Sequence, residues 1–444
     1  MIEYGRYRSD TWGWVMRRGL AVLVGTALVG ALAAVPSSAG TAPLCGASVA
    51  SSWVPTLPTS QQSRQILSAF PGGTGFVFDL GSAITLWHSG NFGETWDPLT
   101  YLPAGTSSFA EVRFATPAVG YMTDFFTMYR TRDGASTPDW TPLPGPRLPK
   151  GDSYGATTLG VTGATVAVGG EVYAPFHLGC NTPVSQDIWT SHDEGRSWLT
   201  ARLPDDAAVA RVQYVNARDG VALAYEMRPD GNPCEYLGQT NSVYVTHDGG
   251  HHFTRVLRCA AAPGELCTSV IMLDAKHVLA GRNDGTMAVS HDGGRTFAPG
   301  PTLPTILGAQ PTKSGNDDTF WIQGFAQAGG TLFATTKFAG AYLSHDGGRT
   351  WTAERSCDST YTLGIGEVAA FDGQRAIAGG PACVATRIGV GASAGAFPGR
   401  SGMQREVPAV EAGQEGADWV ASYGGMTRML SRGRLTIRRR VQPT

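Results

Sequence analysis

The sequence predicts an all-β chain folded as a propeller of seven or eight four-stranded blades. Three observations carry this prediction. A short turn motif recurs six times between residues 89 and 351. Successive copies start 42, 60, 55, 44 and 54 residues apart, near the length of one propeller blade. Between copies the chain reads as short apolar runs broken by turns, consistent with 59 Gly and 27 Pro in 444 residues.

The best copy of the motif is Ser344-His345-Asp346-Gly347-Gly348-Arg349-Thr350-Trp351. The others centre on Asn91, Asp193, Asp248 and Asp292, with a stretched copy at Asp133 that reaches its aromatic at Trp140. The Asp or Asn side chain accepts from backbone N–H groups just ahead and closes the turn. Gly supplies positive φ. The final Trp or Phe restarts a strand and packs between sheets. Adjacent Ser-His-Asp residues in one turn cannot converge as a catalytic triad. His192, His247, His291 and His345 fall at the exposed second position of the motif and read as solvated side chains, not metal ligands.

This motif resembles the Asp-box, or BNR repeat, of sialidase-type propellers, xyloglucanase-type glycosidases, sortilin-like receptors and photosystem II assembly factor-like proteins. The resemblance implies a propeller scaffold with structural corners. Those families share the turn and not the chemistry.

The units follow a common plan of strands a to d. In the fifth they read Ser269–Leu273, His277–Ala280, Thr286–Ser290 and onward from Phe297. Two later units keep strands but lose the turn, one through 375–379 and 383–387, the other through 419–422 and 427–431. Eight units result. Because the last lacks Asp, Gly and aromatic, seven blades closed by a terminal strand is the other reading.

Residues 1–39 read as a signal peptide, with an apolar run from Gly19 to Val35 after Arg17-Arg18 and a small-residue site at Ser37-Ser38-Ala39. An uncleaved membrane anchor is the alternative. Residues 40–59 read as a linker and 60–444 as the propeller. The chain is thus expected to be secreted or extracytoplasmic, touching a membrane only through a retained leader. A net charge of −2 gives no basis for nucleic-acid binding. Nothing calls for a cofactor or a metal.

Seven cysteines behind an export signal point to disulfides. Cys180 and Cys234 lie in long b–c insertions of neighbouring units. Cys259 and Cys267 lie in one inter-unit loop, and Cys357 and Cys383 flank the seventh unit. The expected pairs are 180–234, 259–267 and 357–383, with Cys45 left over.

In a propeller the b–c and d–a loops share the face opposite the motif turns. Asp79, Asp124, Glu226, Arg228, Arg282, Asp284 and Lys337 fall at or near b–c loops. Tyr173, Phe176 and Tyr236 add aromatic surface there, and carboxylates with aromatics suit a protein or carbohydrate ligand. The favoured function is an exported, non-catalytic binding or assembly protein. The alternative is a glycoside hydrolase, sialidase-like or other, with Asp79 and Asp124 as its carboxylate pair. The Arg-Ile-Pro element of sialidases is absent ahead of the first motif copy. Arg64 is the one arginine in 53–88 and is not followed by Ile-Pro. The arginines at 428, 432, 434 and 438–440 read as a solvated last strand and tail.

Overall fold

The computed structural model describes residues 53–59, 65–80, 84–103, 106, 111–124, 126–150, 152–173, 185–203, 208–225, 240–259, 266–304, 321–336, 340–354, 367–379 and 383–387, and the strands at 420–423, 426–431 and 434–438. Two compact units divide the chain, Met1–Gly389 and Val390–Thr444.

The first unit begins with β1 (Trp53–Pro58). Blade 1 is β2 (Gln65–Ala69), β3 (Gly75–Leu80), β4 (Ile84–Ser89) and β5 (Asp97–Leu99). Blade 2 is β6 (Glu111–Phe114), β7 (Gly120–Asp124), β8 (Thr127–Thr131) and β9 (Thr141–Pro142). Blade 3 is β10 (Ser153–Thr162), β11 (Thr165–Tyr173), β12 (Ser185–Ser191) and β13 (Leu199–Arg202). Blade 4 is β14 (Ala208–Tyr214), β15 (Gly220–Tyr225), β16 (Asn241–Thr246) and β17 (Thr254–Cys259). Blade 5 is β18 (Cys267–Met272), β19 (Val278–Arg282), β20 (Thr286–Ser290) and β21 (Ala298–Thr302). Blade 6 is β22 (Ile322–Ala328), β23 (Thr331–Thr336), β24 (Gly340–Ser344) and β25 (Thr352–Glu354). Blade 7 is β26 (Val368–Ala370), β27 (Ala376–Gly379) and β28 (Cys383–Arg387), completed by β1 antiparallel to β28.

The first strands of the blades, β2, β6, β10, β14, β18, β22 and β26, each abut the next, and β26 abuts β2. The propeller is therefore a closed ring of seven. The eighth sequence unit is a separate three-stranded antiparallel sheet in the second compact unit, β29 (Val420–Tyr423), β30 (Met426–Ser431) and β31 (Arg434–Arg438). The fourth strand of blade 7 comes instead from residues 53–58, inside the stretch read as a linker.

The core is a series of layers between blades. Second strands such as β3 and β15 are covered on both faces, so they are apolar almost throughout. Phe76 of blade 1 stacks on Phe114 of blade 2 with centroids 3.6 Å apart. Phe92 meets Phe371 of blade 7 edge-on at 5.6 Å. Outer strands are short or carry proline (Pro98, Pro142, Pro299, Pro301), which lacks the N–H that edge-to-edge pairing needs.

Near the axis, one blade's side chain satisfies the next blade's backbone. Leu67 N donates to Glu367 Oε2 (3.2 Å), Phe114 N to Ser68 Oγ (3.1 Å) and Leu159 N to Glu111 Oε2 (3.1 Å). Thr157 Oγ1 donates to Val209 O (2.9 Å) and Thr268 Oγ1 to Ile322 O (2.8 Å). Both threonines sit at β-bulges, where the extra residue is free of the ladder. Asn241 of blade 4 donates to Cys267 O of blade 5 and accepts from Cys267 N (3.1 Å).

The motif turns have the expected internal bonding. In the best copy Ser344 Oγ donates to Asp346 Oδ1 (2.8 Å) and accepts from Gly348 N (2.8 Å). Asp346 then accepts from Thr350 N (2.9 Å) and Thr350 Oγ1 (2.6 Å). Asp193 and Asp292 repeat this pattern, and Asp248 substitutes His252 Nδ1 at the last position. The fourth and fifth residues of each turn have positive φ. Hence Phe92 (61°), Ala135 (60°) and Glu194 (63°), which stand where other copies have glycine, are the three non-glycine residues of positive φ among the described residues. Trp351 Nε1 donates within its own turn, to Gly348 O (3.1 Å), while three other motif tryptophans reach back one blade. Trp96 Nε1 donates to Thr56 Oγ1 (3.1 Å), Trp140 Nε1 to Tyr101 O (2.8 Å) and Trp198 Nε1 to Pro144 O (2.7 Å). Two motif histidines, exposed as expected, also reach forward. His192 Nε2 donates to Gly249 O (2.7 Å) and His247 Nε2 to Gly293 O (2.8 Å).

Ring closure has its own latch. Trp53 Nε1 donates to Glu354 Oε2 (2.7 Å), and Arg387 grips the same carboxylate through Nε (2.8 Å) and Nη2 (2.7 Å). Trp53 is fully buried and the Arg387 side chain is 5% exposed. The Cys259–Cys267 bridge is formed and joins the outer strand of blade 4 to the inner strand of blade 5. Cys180, Cys234 and Cys357 lie outside the described residues, as does the side chain of Cys383.

Glu354→Ala strands a buried guanidinium and is expected to lower the unfolding free energy by about 3–5 kcal/mol in urea titration. A loss below about 1 kcal/mol, the range of an exposed pair, would show that closure does not rest on this latch.

Hydroxyl and backbone donors lower the motif carboxylates. Asp193 and Asp292 fall from 3.8 to about 2, chiefly through Ser197 and Thr296. Asp248 also falls to about 2, where bonds led by His252 overcome the opposing effect of burial. Folded-state pKa values below the unfolded ones mean that this stabilisation is complete above about pH 4. It is lost as pH falls through about 2. Blade 1 uses Asn91, whose Nδ2 donates to Thr95 Oγ1 (3.0 Å), and has no carboxylate to titrate. The triple variant Asp193→Asn, Asp292→Asn, Asp346→Asn is expected to flatten the fall in Tm between pH 4 and 2, followed by circular dichroism. An unchanged acid limb would contradict the assignment.

Candidate functional site

A cavity of about 200 Å³ opens at the axis, lined by the innermost strands. Its charged residues are Glu111 and Arg113 of β6, Arg211 of β14, and Glu367 just ahead of β26. Residues 111 and 113 share one face of β6 because side chains alternate along a strand. Arg113 Nε lies 2.9 Å from Glu111 Oε1, and Nη2 lies 2.7 Å from Glu367 Oε1. Arg211 Nη2 is 3.9 Å from Glu367 Oε1 and donates to Gln323 O at 3.1 Å. Burial opposes the charge on Arg113, but Glu367 and Glu111 outweigh it and raise the guanidinium above the usual arginine range.

The other oxygens of this carboxylate pair accept the Leu159 and Leu67 backbone amides. All four oxygens are thus engaged by a cation or an N–H. Two carboxylates bracketing a guanidinium brace four blades, the seventh, first, second and third. Glycoside hydrolysis asks for something different: one protonated carboxyl and one carboxylate flanking an open space about 5–9 Å wide.

The sequence-predicted residues lie elsewhere. Asp79 is on β3, 7% exposed, and Asp124 ends β7, partly buried. Tyr173 ends β11 and Arg282 ends β19. Asp284 closes the next turn, its Oδ1 accepting from Thr286 N (2.9 Å) and Oγ1 (2.7 Å). All five stand at b–c ends, as expected from the strand order, yet none lines the axial cavity. Phe176, Glu226, Arg228, Tyr236 and Lys337 lie outside the described residues, as does the Tyr173 side chain. Asn91, Asp133, Asp193, Asp248, Asp292 and Asp346 occupy separate blade corners and share no part of this cavity. Among the described residues no group of three or more His, Cys, Asp or Glu is placed to hold a metal ion.

The axial charges escaped sequence reasoning because they are scattered from 111 to 367. The one local signal was Glu111-Val112-Arg113-Phe114, where charge alternates with apolar residues in a strand.

Fold and corners together define a seven-bladed β-propeller with Asp-box turns. Residues 342–353 match the family model of the BNR/Asp-box repeat. No curated protein matches the chain. Among solved structures, YCF48 bound to D1 peptide is similar at 15% identity, TM-score 0.48, covering 76% of this chain and 96% of that one. A GH74 enzyme from Niastella koreensis is similar at 14% identity, TM-score 0.44, covering 74% and 43%. The extracellular domain of a putative one-component system from B. thetaiotaomicron is similar at 11% identity, TM-score 0.50, covering 76% and 40%. At these identities no chemistry carries over.

Arg113→Ala leaves Glu111 (side chain 2% exposed) and Glu367 (16%) without their shared cation. It is expected to cost about 3–5 kcal/mol by urea denaturation, and Arg211→Ala markedly less. Equal effects would refute a bracing role specific to Arg113.

Proposed function

We propose that this chain is an exported, non-catalytic binding or assembly protein whose loop face meets a protein or glycan ligand. One observation carries the reading: every oxygen of the axial Glu111–Glu367 pair is already held by Arg113 or a backbone amide. A buried charge network of this kind supports rigidity, and it does not present the acid and nucleophile a glycosidase needs. Asp79 and Asp124 add no support for hydrolysis, standing on second strands away from the axis. The Cys259–Cys267 bridge favours an oxidising compartment and so supports export. Rigid blades with function placed on their loops agree with the general division of labour between scaffold and loop.

A screen of the purified protein against aryl-glycosides is expected to give no turnover, with Asp124→Asn and Glu111→Gln indistinguishable from the parent. Parallel glycan and peptide arrays are expected to give saturable binding. Turnover abolished by either substitution would replace this reading with the hydrolase.

A further inference from the structure

Each of the four motif histidines has a facing position within its own blade. That position is the residue just ahead of the one paired with the opening Ser or Thr of the motif. It is Thr165 in blade 3, Asp219 in blade 4, His277 in blade 5 and Thr331 in blade 6. In three blades its side chain lies within hydrogen-bond reach of the motif histidine's Nδ1. Thr165 Oγ1 is 3.1 Å from His192, Asp219 Oδ1 is 2.7 Å from His247 and Thr331 Oγ1 is 3.1 Å from His345. In blade 5 the facing residue is itself a histidine. The rings of His277 and His291 have centroids 5.3 Å apart and planes at 77°. Blade 5 therefore sets two imidazoles together where the other blades make one hydrogen bond.

His277 is oriented for a ligand. Its Nδ1 lies 2.8 and 3.0 Å from the two oxygens of Asp274. A carboxylate only accepts, so Nδ1 carries the proton and Nε2 of the neutral ring keeps its lone pair. A carboxylate on the far nitrogen is the arrangement that fixes histidine ligands of metal ions. Asp274 is held in turn, since its Oδ1 accepts from Lys276 N (2.7 Å) and His277 N (2.9 Å). The two turns that carry the rings are pinned to each other by Gly293 N donating to Lys276 O (2.8 Å). Leu273 N donates to His277 O (2.8 Å) and closes the first of them. The spacing of the two rings is thus built into the backbone.

That spacing suits a metal ion. With metal–nitrogen bonds of about 2.0–2.1 Å an ion lies about 3.2 Å from each ring centre, and centroids 5.3 Å apart subtend about 110° there, the angle of a tetrahedral site. Asp292 adds no ligand, because Ser290 and Thr296 already engage both of its oxygens. Two protein ligands leave the other positions to water, in keeping with the lack of any three-residue group among the described residues. The His277 side chain is 41% exposed and His291 is exposed, so an ion enters directly from solvent. Imidazole nitrogens select copper, nickel and zinc over magnesium and calcium, and copper(II) stands highest in the affinity order.

We propose that His277 and His291 form a two-histidine site for a divalent transition-metal ion, copper(II) above the others, with Asp274 as its positioning carboxylate. The site stands at the motif corner of blade 5, so its failure would leave the loop-face reading untouched.

The test uses the full chain without a tag, stripped with EDTA and returned to buffer. Copper(II) chloride is titrated by calorimetry and followed by electron paramagnetic resonance. One equivalent is expected to bind ahead of any other, with hyperfine splitting from two imidazole nitrogens. His277→Ala and His291→Ala are each expected to weaken that equivalent at least about tenfold and to remove the two-nitrogen splitting. Tm is expected to be unchanged, as for other surface substitutions. Asp274→Asn is expected to weaken binding about tenfold while the two-nitrogen splitting remains. His345→Ala, whose facing residue is Thr331, is expected to change nothing. Absence of a saturable equivalent overturns the proposal. So does an equivalent that survives His277→Ala or His291→Ala, and so does one lost equally in His345→Ala, which would assign the copper to rim histidines in general.

Discussion

The structure depends on how the inner edge of each blade meets its neighbour. A strand paired on one side presents unpaired N–H and C=O groups on the other, and burying them unsatisfied costs about 1–3 kcal/mol each. Here the neighbouring blade answers that cost. Glu367 serves Leu67, Ser68 serves Phe114, Glu111 serves Leu159, Thr157 serves Val209 and Thr268 serves Ile322. In all five the side chain belongs to one blade and the backbone group to the blade after it. Only a closed ring lets such a hand-off return to its start, which is why Glu367 of the last blade meets Leu67 of the first.

The corners extend the same coupling to the rim. An Asp-box closes its own turn, and its outer residues then reach other blades. Trp96, Trp140 and Trp198 bond backward to the preceding outer strand, while His192 and His247 bond forward to the next corner. In blade 3 one turn ties both neighbours, Trp198 backward and His192 forward. The same motif that forms the hairpin also sets the spacing of the ring.

This use of polar groups bears on function. The axial carboxylates are committed to bracing, and the proposed non-catalytic reading rests on that.

Much of the fold was legible from the residues alone. Each Asp-box bonds within eight residues, so its chemistry is written in one short string, and the strand runs of blades 2 to 6 follow from those corners. The Cys259–Cys267 bridge, eight residues apart, was legible for the same reason. Blade number, the closing strand and the axial cluster were decided only in three dimensions. Trp53 meets Glu354 across 301 positions, and Arg113 meets Glu367 across 254. No local pattern marks such partners. They are chosen when the ring shuts and a buried charge or strand edge must find whatever group the geometry brings within reach.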